Sequence, residues 1–577
     1  MSDLLKLNSC LLAAGVLVGC TAKHYRKSAD TEVYRIVQEK QKVALGQTNA
    51  FSIDTPYSHR KADDIKAPEI IADRTREAKE TLSLPDALRM ALENSRDYQL
   101  RKEQLYFSAL TLTAERFEYV PQFFASVAPT AQKVPGEDAS IGVATRAGVA
   151  QALKTGGRIT LDLANDFLRF YTGGRSDSAV TTIALGLSQP LLRGAGAKIA
   201  AENLTQAERN VIYEIRGFSY YQDAFLSVGG ISPGGGPTPA GIVRRYLELI
   251  KQQDTVKNEH NNFLSRVSLR ERAVALSVDR LAPFQADQAV QEELTARDSY
   301  IRTVESYRTA LDDFKITLGL PAGYEIRLDE TVLAELETVG LLPVPLSDDQ
   351  SFRLALERRP DFLNEIDRFE DSKRKIVVAA DNLKADLVLF GNASLVSEGE
   401  TDYANFDLND YRVNGGVRLD LPLNRKLERN AYRSSIIAFE RQLRTLALFL
   451  DNLKSDLRGD LRELDRLRQS YDIQLRAKAL ADRRVESSEL SLQAGRIQVR
   501  DVADAQTARV QAYNAATAAL VDYHLTRMRL LLNLGILNTV KEKFWLDYGD
   551  LPKSNGVTRP APAAFSELIT PDELFKR

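Results

Sequence analysis

The chain has 577 residues, of which 44% are hydrophobic and 27% are charged, and its formal net charge is −2. This composition is compatible with folding and argues against wholesale disorder. The balanced charge gives no electrostatic case for a nucleic-acid partner. No stretch reaches 18 consecutive apolar residues, so a transmembrane helix in the mature chain is not expected, and a β-barrel is the remaining way to span a bilayer.

Residues 1–20 have the pattern of a lipoprotein signal peptide, with an apolar core from Leu11 to Val18. The motif LVGC resembles a bacterial lipobox and predicts that Cys20 is the lipidated first residue of the mature protein. The alternative is a buried amphipathic N-terminal segment that contains a cysteine by chance. Because Cys10 and Cys20 are the only cysteines, no disulfide framework or cysteine-based metal site is available to the rest of the chain.

Residues 21–80 are polar and charged, with a short helical pattern around Val33 to Val43. They predict an N-terminal linker or a strap laid over the main body. From Ser83 the sequence returns to helix period, and Ser83 with Asp86 predicts a helix N-terminal cap.

From Val120 the period of the pattern changes to two, which predicts β-strands. Apolar and polar residues alternate in segments 158–163, 182–188 and 412–421. A soluble sandwich would bury the apolar face of such strands, whereas an outer-membrane barrel would turn it to lipid. The sequence offers few further strands for a second sheet, and this favours the barrel.

The strand pattern predicts four strands, or six if extra residues in this region form a hairpin. Open sheet edges are not tolerated in lipid, and closed spanning barrels start at about eight strands. The chain would therefore supply part of a barrel that other copies of it complete.

Long helical hairpins follow the strands twice. The first comprises segments 198–225 and 244–274, a turn at 277–284 and a helix that continues to Leu318. The second extends from about Tyr432 to about Leu537 and is interrupted at 491–506. Within this interruption Gly495 predicts a helix C-terminal cap, and Asp501 is suited to the positive end of the helix that follows. The first arm of the second hairpin has an apolar stripe at steps of three or four residues. An arm of about 60 residues would be about 90 Å long.

The two hairpins belong to an internal duplication. Segment 87–98 resembles 351–362, GLSQPLLR resembles RLDLPLNR, and RLAPFQADQ resembles RIQVRDVAD, and the offset between the copies falls from 264 to 232 and then to 216. The first copy therefore carries 32 extra residues in its strand region and 16 more before Arg280. Val228–Gly241 accounts for the second insertion, and its glycine clusters lack the lysine and the preceding strand of a phosphate-binding loop.

The sequence predicts no catalytic, metal or cofactor site. The histidines are scattered and show neither metal-ligand spacing nor a nucleophile pattern. Carboxylates lie on arginine-rich helical faces, where solvated ion pairs are the default. The four histidines are His24, His59, His260 and His524.

Asp501 and Asp504 follow the second hairpin turn and share one helix face at i and i+3. One interpretation is a solvated face on which they pair with Arg500 or Arg509. The other is a ring of carboxylates, formed where several copies converge, that attracts cations at the mouth of a tube.

The helix, strand and hairpin motifs occur in the same order in both copies of the duplication. Together they resemble the TolC-like outer-membrane efflux protein family over about Leu82 to Leu537. The resemblance is carried by LPDALRMALENSRDY, by the strand ends LSQPLLRG and LDLPLNRK, and by Gly495-Arg496 followed by DVADAQ. It implies an α+β membrane protein, a homotrimer whose twelve-stranded outer-membrane barrel is continued by a periplasmic α-helical barrel. It also implies a passive exit duct for an inner-membrane transporter, joined through a periplasmic adaptor (membrane fusion) protein.

The resemblance also places functional residues on this chain. The family's aperture carboxylates fall on Asp501 and Asp504. Asp279 stands where the family usually has glycine, which makes the first turn a departure from the pattern. The adaptor-contacting turns fall on Arg280, Leu281, Ala282, Pro283, Gly495, Arg496 and Ile497.

The expected organisation is a signal peptide (1–20), a periplasmic linker (21–80), a first repeat (81–325), a second repeat (346–540) and a C-terminal tail (541–577). The expected location is the outer membrane, in contact with its lipid, with most of the chain in the periplasm. The alternative is a periplasmic coiled-coil scaffold or adaptor lipoprotein, whose strands would not face lipid. The sequence does not identify the cargo.

Overall fold

The computed structural model describes residues 21–133, 135, 138–170, 178–229, 241–278, 281–398 and 404–547. The helices are α1 (Ala22–Leu45), α2 (Ala67–Arg74), α3 (Leu84–Asn94), α4 (Arg96–Phe117), α5 (Ala197–Ala200), α6 (Glu202–Leu226), α7 (Ile242–Leu276), α8 (Pro283–Thr317), α9 (Thr331–Val339), α10 (Asp348–Arg358), α11 (Pro360–Asp381), α12 (Lys426–Gln493) and α13 (Val499–Asn533). The strands are β1 (Lys79–Leu82), β2 (Gln122–Gln132), β3 (Ser140–Ala152), β4 (Arg158–Phe170), β5 (Ser178–Pro190), β6 (Glu325–Leu328), β7 (Asp386–Val396) and β8 (Tyr411–Asp420).

The chain folds into two compact units, each assembled from separate segments. The sheet unit comprises Met1–Ile53, Glu103–Arg216 and Asn364–Ala447. The hairpin unit comprises Asp54–Lys102, Gly217–Leu363 and Leu448–Arg577.

The sheet unit contains the large sheet, an antiparallel sheet that has the order β2-β3-β4-β5-β7-β8. The pairing of β5 with β7 joins the strands of the first copy of the duplicated unit to those of the second. Among the described residues this sheet has six strands, so the 32 extra residues add a hairpin. The four strands per chain that the resemblance implied are therefore too few.

Helix α1 also belongs to the sheet unit, where the sequence indicated only a short helical pattern. Val33, Ile36 and Val37 on one face of α1 are fully buried. Polar contacts fix the helix along its length, because Tyr106 Oη donates a 2.7 Å hydrogen bond to Asp30 Oδ1 and Lys40 pairs with Glu208. These buried side chains identify residues 22–45 as a packed helix rather than an extended linker.

The hairpin unit has a continuous apolar core. Leu453, Leu457 and Leu461 of α12 form an apolar stripe that lies in this core at the predicted spacing. The helix α3 begins as predicted, because the Asp86 backbone N–H donates to Ser83 Oγ. Helix α12 has 68 residues, slightly more than the arm that the pattern predicted.

The first part of the predicted tail is packed against the core of the hairpin unit. Trp545 is only 3% exposed, and its backbone oxygen accepts a 2.7 Å hydrogen bond from the buried Arg527 side chain. The proline-rich remainder of the tail lies outside the described residues, as do residues 230–240 of the insertion that precedes α7.

Candidate functional site: the hairpin tip

The two predicted turns lie at one end of the hairpin unit, which we call the hairpin tip (residues 269–289 and 489–507, with 279 and 280 not described). Leu281, in the first turn, and Ile497, in the second, join the same apolar cluster. The Val499 backbone N–H also donates to Gln285 Oε1 at 3.3 Å, which links the second turn to α8. The other members of the cluster are Leu269, Ala273, Leu276, Ala289, Leu492, Val499, Val502 and Ala503.

The second turn has the geometry that a helix-ending glycine produces. Gly495 has φ +69°, its N–H donates to the Leu492 oxygen at 2.9 Å, and the Arg496 N–H donates to the Ser491 oxygen at 3.0 Å. This pair of hydrogen bonds satisfies carbonyls at the end of α12 and reverses the chain direction. The predicted C-terminal cap at Gly495 is confirmed.

A pair of glycine substitutions tests this turn. Gly495→Ala is expected to lower the free energy of unfolding by about 1 kcal/mol, because a left-handed backbone disfavours a side chain. Gly459→Ala in the middle of α12 is the matched control, and it is expected to raise stability by about 0.5–1 kcal/mol. A Cβ at either position meets no atom within 4 Å, so the backbone conformation alone distinguishes the two glycines. Thermal unfolding of both variants would show the opposite signs, and equal shifts would contradict the assignment.

Asp501 and Asp504 begin α13 and are both exposed. Asp501 caps the helix, because its Oδ2 accepts a 2.9 Å hydrogen bond from the Gln498 N–H. Asp504 Oδ2 lies 4.0 Å from Arg500 Nε, and these two side chains are 62% and 71% exposed. In a single chain both carboxylates are therefore exposed to solvent, as the first interpretation described, and Asp504 has an arginine neighbour while Asp501 caps the helix.

Arg266 is a buried cation beneath these carboxylates that the sequence analysis did not identify. It is 3% exposed, and its Nη2 donates to the Ala503 oxygen at 2.8 Å and to Thr507 Oγ1 at 2.7 Å. Burial lowers the pKa of Arg266, and the negative charges of Glu292 and Asp504 oppose this shift. A guanidinium remains charged in proteins, so Arg266 joins α7 to α13 through charged hydrogen bonds.

A signal for Arg266 was present in the sequence. The buried positions of α7 include Asn262, Arg266, Leu269 and Ala273, which recur at steps of four, three and four. An arginine that occupies an apolar stripe position must find polar partners inside the fold.

The remaining predicted site residues have local structural roles or lie outside the described residues. Ala282 precedes α8 as its cap residue, and Pro283 occupies the first turn, where a missing N–H costs nothing. Arg496 is exposed at the second turn. Arg280 and Cys20 lie outside the described residues.

The sheet unit contains a cavity of about 730 Å³ between α4, α6, α11 and α12. Asp371 of α11, only 3% exposed, lies in its wall. This carboxylate accepts a 2.6 Å hydrogen bond from Tyr213 Oη and pairs with Arg209 at 2.5 Å and with Arg374 at 2.8 Å. The amide and hydroxyl groups of the lining come from Gln104, Ser108, Gln206, Asn210, Tyr213, Ser372, Ser435 and Gln442.

The large sheet has one apolar face and one polar face. Leu161, Leu185 and Val413 on the apolar face remain 45%, 49% and 66% exposed. On the polar face, Arg146 Nη2 pairs with Asp162 Oδ1 across neighbouring strands at 2.8 Å. A soluble protein rarely exposes large apolar side chains on several neighbouring strands, which marks this face as an interaction surface.

Within the described part of the chain, no helix combines the length and the apolar character that crossing a membrane requires.

No protein-family model matches the chain, and no curated protein sequence matches it. Solved structures do match. The Campylobacter jejuni CmeC outer membrane channel is similar over 78% of this chain and 85% of its own, with 13% identity and a TM-score of 0.56. The outer membrane protein VceC from Vibrio cholerae matches over 78% and 96%, with 13% identity and a TM-score of 0.54.

The Neisseria gonorrhoeae MtrE outer membrane channel, solved in its open state, matches 78% of this chain and 88% of its own, with 14% identity and a TM-score of 0.53. At these identities the likeness concerns the fold. The chain has the mixed helix and strand fold of the TolC-like outer-membrane channels, and the predicted resemblance is confirmed.

Proposed function

We propose that this chain forms the outer-membrane channel of a tripartite efflux or secretion system. In this role it is a passive exit duct without catalytic turnover. The observation that carries the proposal is the exposed apolar face of the large sheet, which extends over strands of both repeats (81–325 and 346–540). Placed against outer-membrane lipid, this face would remove its side chains from water, and the polar face would line a hydrated passage.

The open edges of the large sheet support a homotrimer. Strands β2 and β8 are its outermost strands in the described part of the chain. Unpaired backbone groups are costly in lipid, so a membrane-inserted sheet must close on itself or on further copies. A barrel completed by three chains satisfies both edges, and a periplasmic α-helical barrel built from the long helices would continue it.

The hairpin tip supports a role at the periplasmic end of the duct. In a trimer, three copies of Asp501 and Asp504 would form a carboxylate ring at the aperture, above the buried charge of Arg266. The turns at Arg280–Pro283 and Gly495–Ile497 would contact a periplasmic adaptor protein, which connects the duct to an inner-membrane transporter.

Extraction of the protein from purified outer membrane in mild detergent tests the proposal. We expect a stable species of three chains with dominant helix and a clear β signal. A detergent-independent monomer or dimer that is nearly all helix would contradict it and would favour the periplasmic scaffold or adaptor lipoprotein.

The combined substitution Asp501→Asn and Asp504→Asn tests the aperture. We expect reduced cation selectivity of single channels in planar bilayers, with unchanged assembly, because a ring of like charges concentrates counter-ions at a pore mouth. Asp298→Asn combined with Glu305→Gln is the matched control, since these exposed carboxylates lie along α8 well beyond its first turn. Equal selectivity of the two double variants would argue against the carboxylate ring.

A further inference from the structure

The hairpin that the first repeat adds lies in the middle of the large sheet rather than on its outside. Strands β3 and β4 pair with each other and with β2 and β5. The hairpin therefore widens the sheet by two strands instead of forming an external loop.

The separation of apolar and polar faces continues through this hairpin without a change of register. One row of paired residues crosses the six strands of the large sheet on the apolar face, and the next row crosses them on the other face. The apolar row is Phe123, Val149, Leu161, Leu185, Ala393 and Val413. The second row is Phe124, Gly148, Asp162, Ala184, Ser394 and Arg412. Since a slip of one residue would exchange the faces, the hairpin belongs to the same lipid-facing wall.

The two outer strands are suited to pair with each other between copies. Strand β2 follows α4 and β8 leads into α12, and the intervening strands alternate in direction, so β2 and β8 run in opposite directions. They are of similar length, with 11 and 10 residues. The β8 edge of one copy can therefore extend the sheet at the β2 edge of the next in the antiparallel pattern of the rest of the sheet.

We propose that the membrane part of the trimer is an eighteen-stranded barrel to which each chain contributes β2–β5, β7 and β8, with a lumen wide enough for small folded polypeptides. This inference rests on the proposed function for the location and for the number of copies. It departs from the twelve strands that the family resemblance implied.

The width of the lumen follows from elementary barrel geometry. With strands about 4.8 Å apart and tilted by about 40°, eighteen strands close at a backbone radius of about 18 Å, whereas twelve close at about 12 Å. Subtracting about 5 Å for inward side chains leaves a lumen radius of about 13 Å in the larger barrel and about 7 Å in the smaller one.

Two aromatic side chains on the polar face lie flat against the wall rather than across the lumen. A Cβ at Gly148 would lie 2.7 Å from the Phe124 ring, and a Cβ at Gly416 would lie 3.1 Å from the Phe390 ring. Each ring therefore covers a glycine on the neighbouring strand, an arrangement that stabilises the strand pair. The large side chains at these positions leave the passage open.

The experiment combines native mass spectrometry with polymer exclusion on the full-length channel. Polyethylene glycols of increasing hydrodynamic radius are added to both sides of a planar bilayer, and the radius at which they stop reducing conductance is measured. We expect three chains and a cut-off radius of about 13 Å, the lumen radius of the larger barrel.

A conducting trimer with a cut-off of about 7 Å, the lumen radius of a twelve-stranded barrel, would overturn the eighteen-stranded barrel and leave the duct itself in place. A conducting dimer would likewise overturn the eighteen-stranded barrel and leave the duct itself in place. A protein that neither inserts nor conducts would overturn both proposals.

A variant that lacks residues 138–170, and with them β3 and β4, provides the second measurement. Strands β2 and β5 have the directions required to pair directly, so we expect a trimer whose cut-off falls to about half of the wild-type radius. An assembled variant with the wild-type cut-off would contradict the inference. If the variant does not assemble, the cut-off radius of the wild-type channel alone tests the eighteen-stranded barrel.

Discussion

Replacing Asp371 with alanine is expected to lower the free energy of unfolding by about 3 kcal/mol. Removal of one member of a buried ionic network leaves the other members uncompensated, and such losses are typically about 3–5 kcal/mol. The lower end applies here, because the Arg209 and Arg374 side chains are 28% and 25% exposed and water can partly solvate them. The expected measurement is a shift of the denaturant midpoint at an unchanged slope.

Glu370→Ala is the matched control for this substitution. Glu370 is the preceding residue on α11 and pairs with Lys373 at 2.7 Å, but its side chain is 53% exposed. Exposed pairs contribute about 0–1 kcal/mol, so this variant is expected to remain close to wild type. Similar losses for the two variants would mean that Asp371 does not join α6 to α11 in the way that its contacts indicate.

Leu185→Arg is expected to prevent or strongly weaken insertion into lipid vesicles. In the proposed orientation Leu185 faces the hydrocarbon, where arginine near the bilayer midplane costs about 2–4 kcal/mol. In the proposed trimer this cost recurs in every chain. The measurement is the fraction of protein that resists extraction from vesicles and retains its β signal.

Ala184→Arg is the corresponding control on the adjacent residue of the same strand. Ala184 lies on the opposite face, directly across from Asp162, so an arginine there has water and a carboxylate within reach. We expect this variant to insert normally. If Ala184→Arg is the more damaging of the two, the apolar face does not face lipid.

Regular periodicity accounts for the parts of the fold that the sequence predicted well. The apolar stripe of α12, the break at Gly495 and the capped start of α13 depend on contacts that are local in sequence. Strands β4, β5 and β8 were recognisable because apolar and polar residues alternate along them. Strand β3 contains glycine and alanine in place of larger apolar residues, so its pattern is weak.

The features that the sequence did not predict depend on contacts between distant segments. Arg266 hydrogen-bonds to the backbone oxygen of Ala503, which is far away in the sequence. The wall of the sheet-unit cavity comes from four helices whose lining residues extend from Gln104 to Gln442. The sequence pattern indicated a shorter helix than α1 because only a narrow apolar face of α1 is buried. Asp30 and Lys40 pair with residues of other helices. Tertiary partners of this kind leave little trace in local periodicity.

The direction of α1 has a consequence for how the amino terminus relates to the membrane. Asp30, in the first half of α1, contacts Tyr106, whereas Lys40, near its end, pairs with Glu208, which also pairs with Arg116 near the end of α4. Since α4 leads into β2, α1 points its C-terminal end toward the large sheet.

The first residue of α1, Ala22, is then about 27 Å farther from the sheet than Lys40, at about 1.5 Å per residue. If the sheet lies in the outer membrane, as we propose, an acyl chain attached just before Thr21 would not reach that bilayer while α1 stays docked. Under the proposed function, docking of this helix and anchoring of the amino terminus through a lipidated Cys20 would therefore be alternative states, and anchoring would require α1 to detach from α4 and α6.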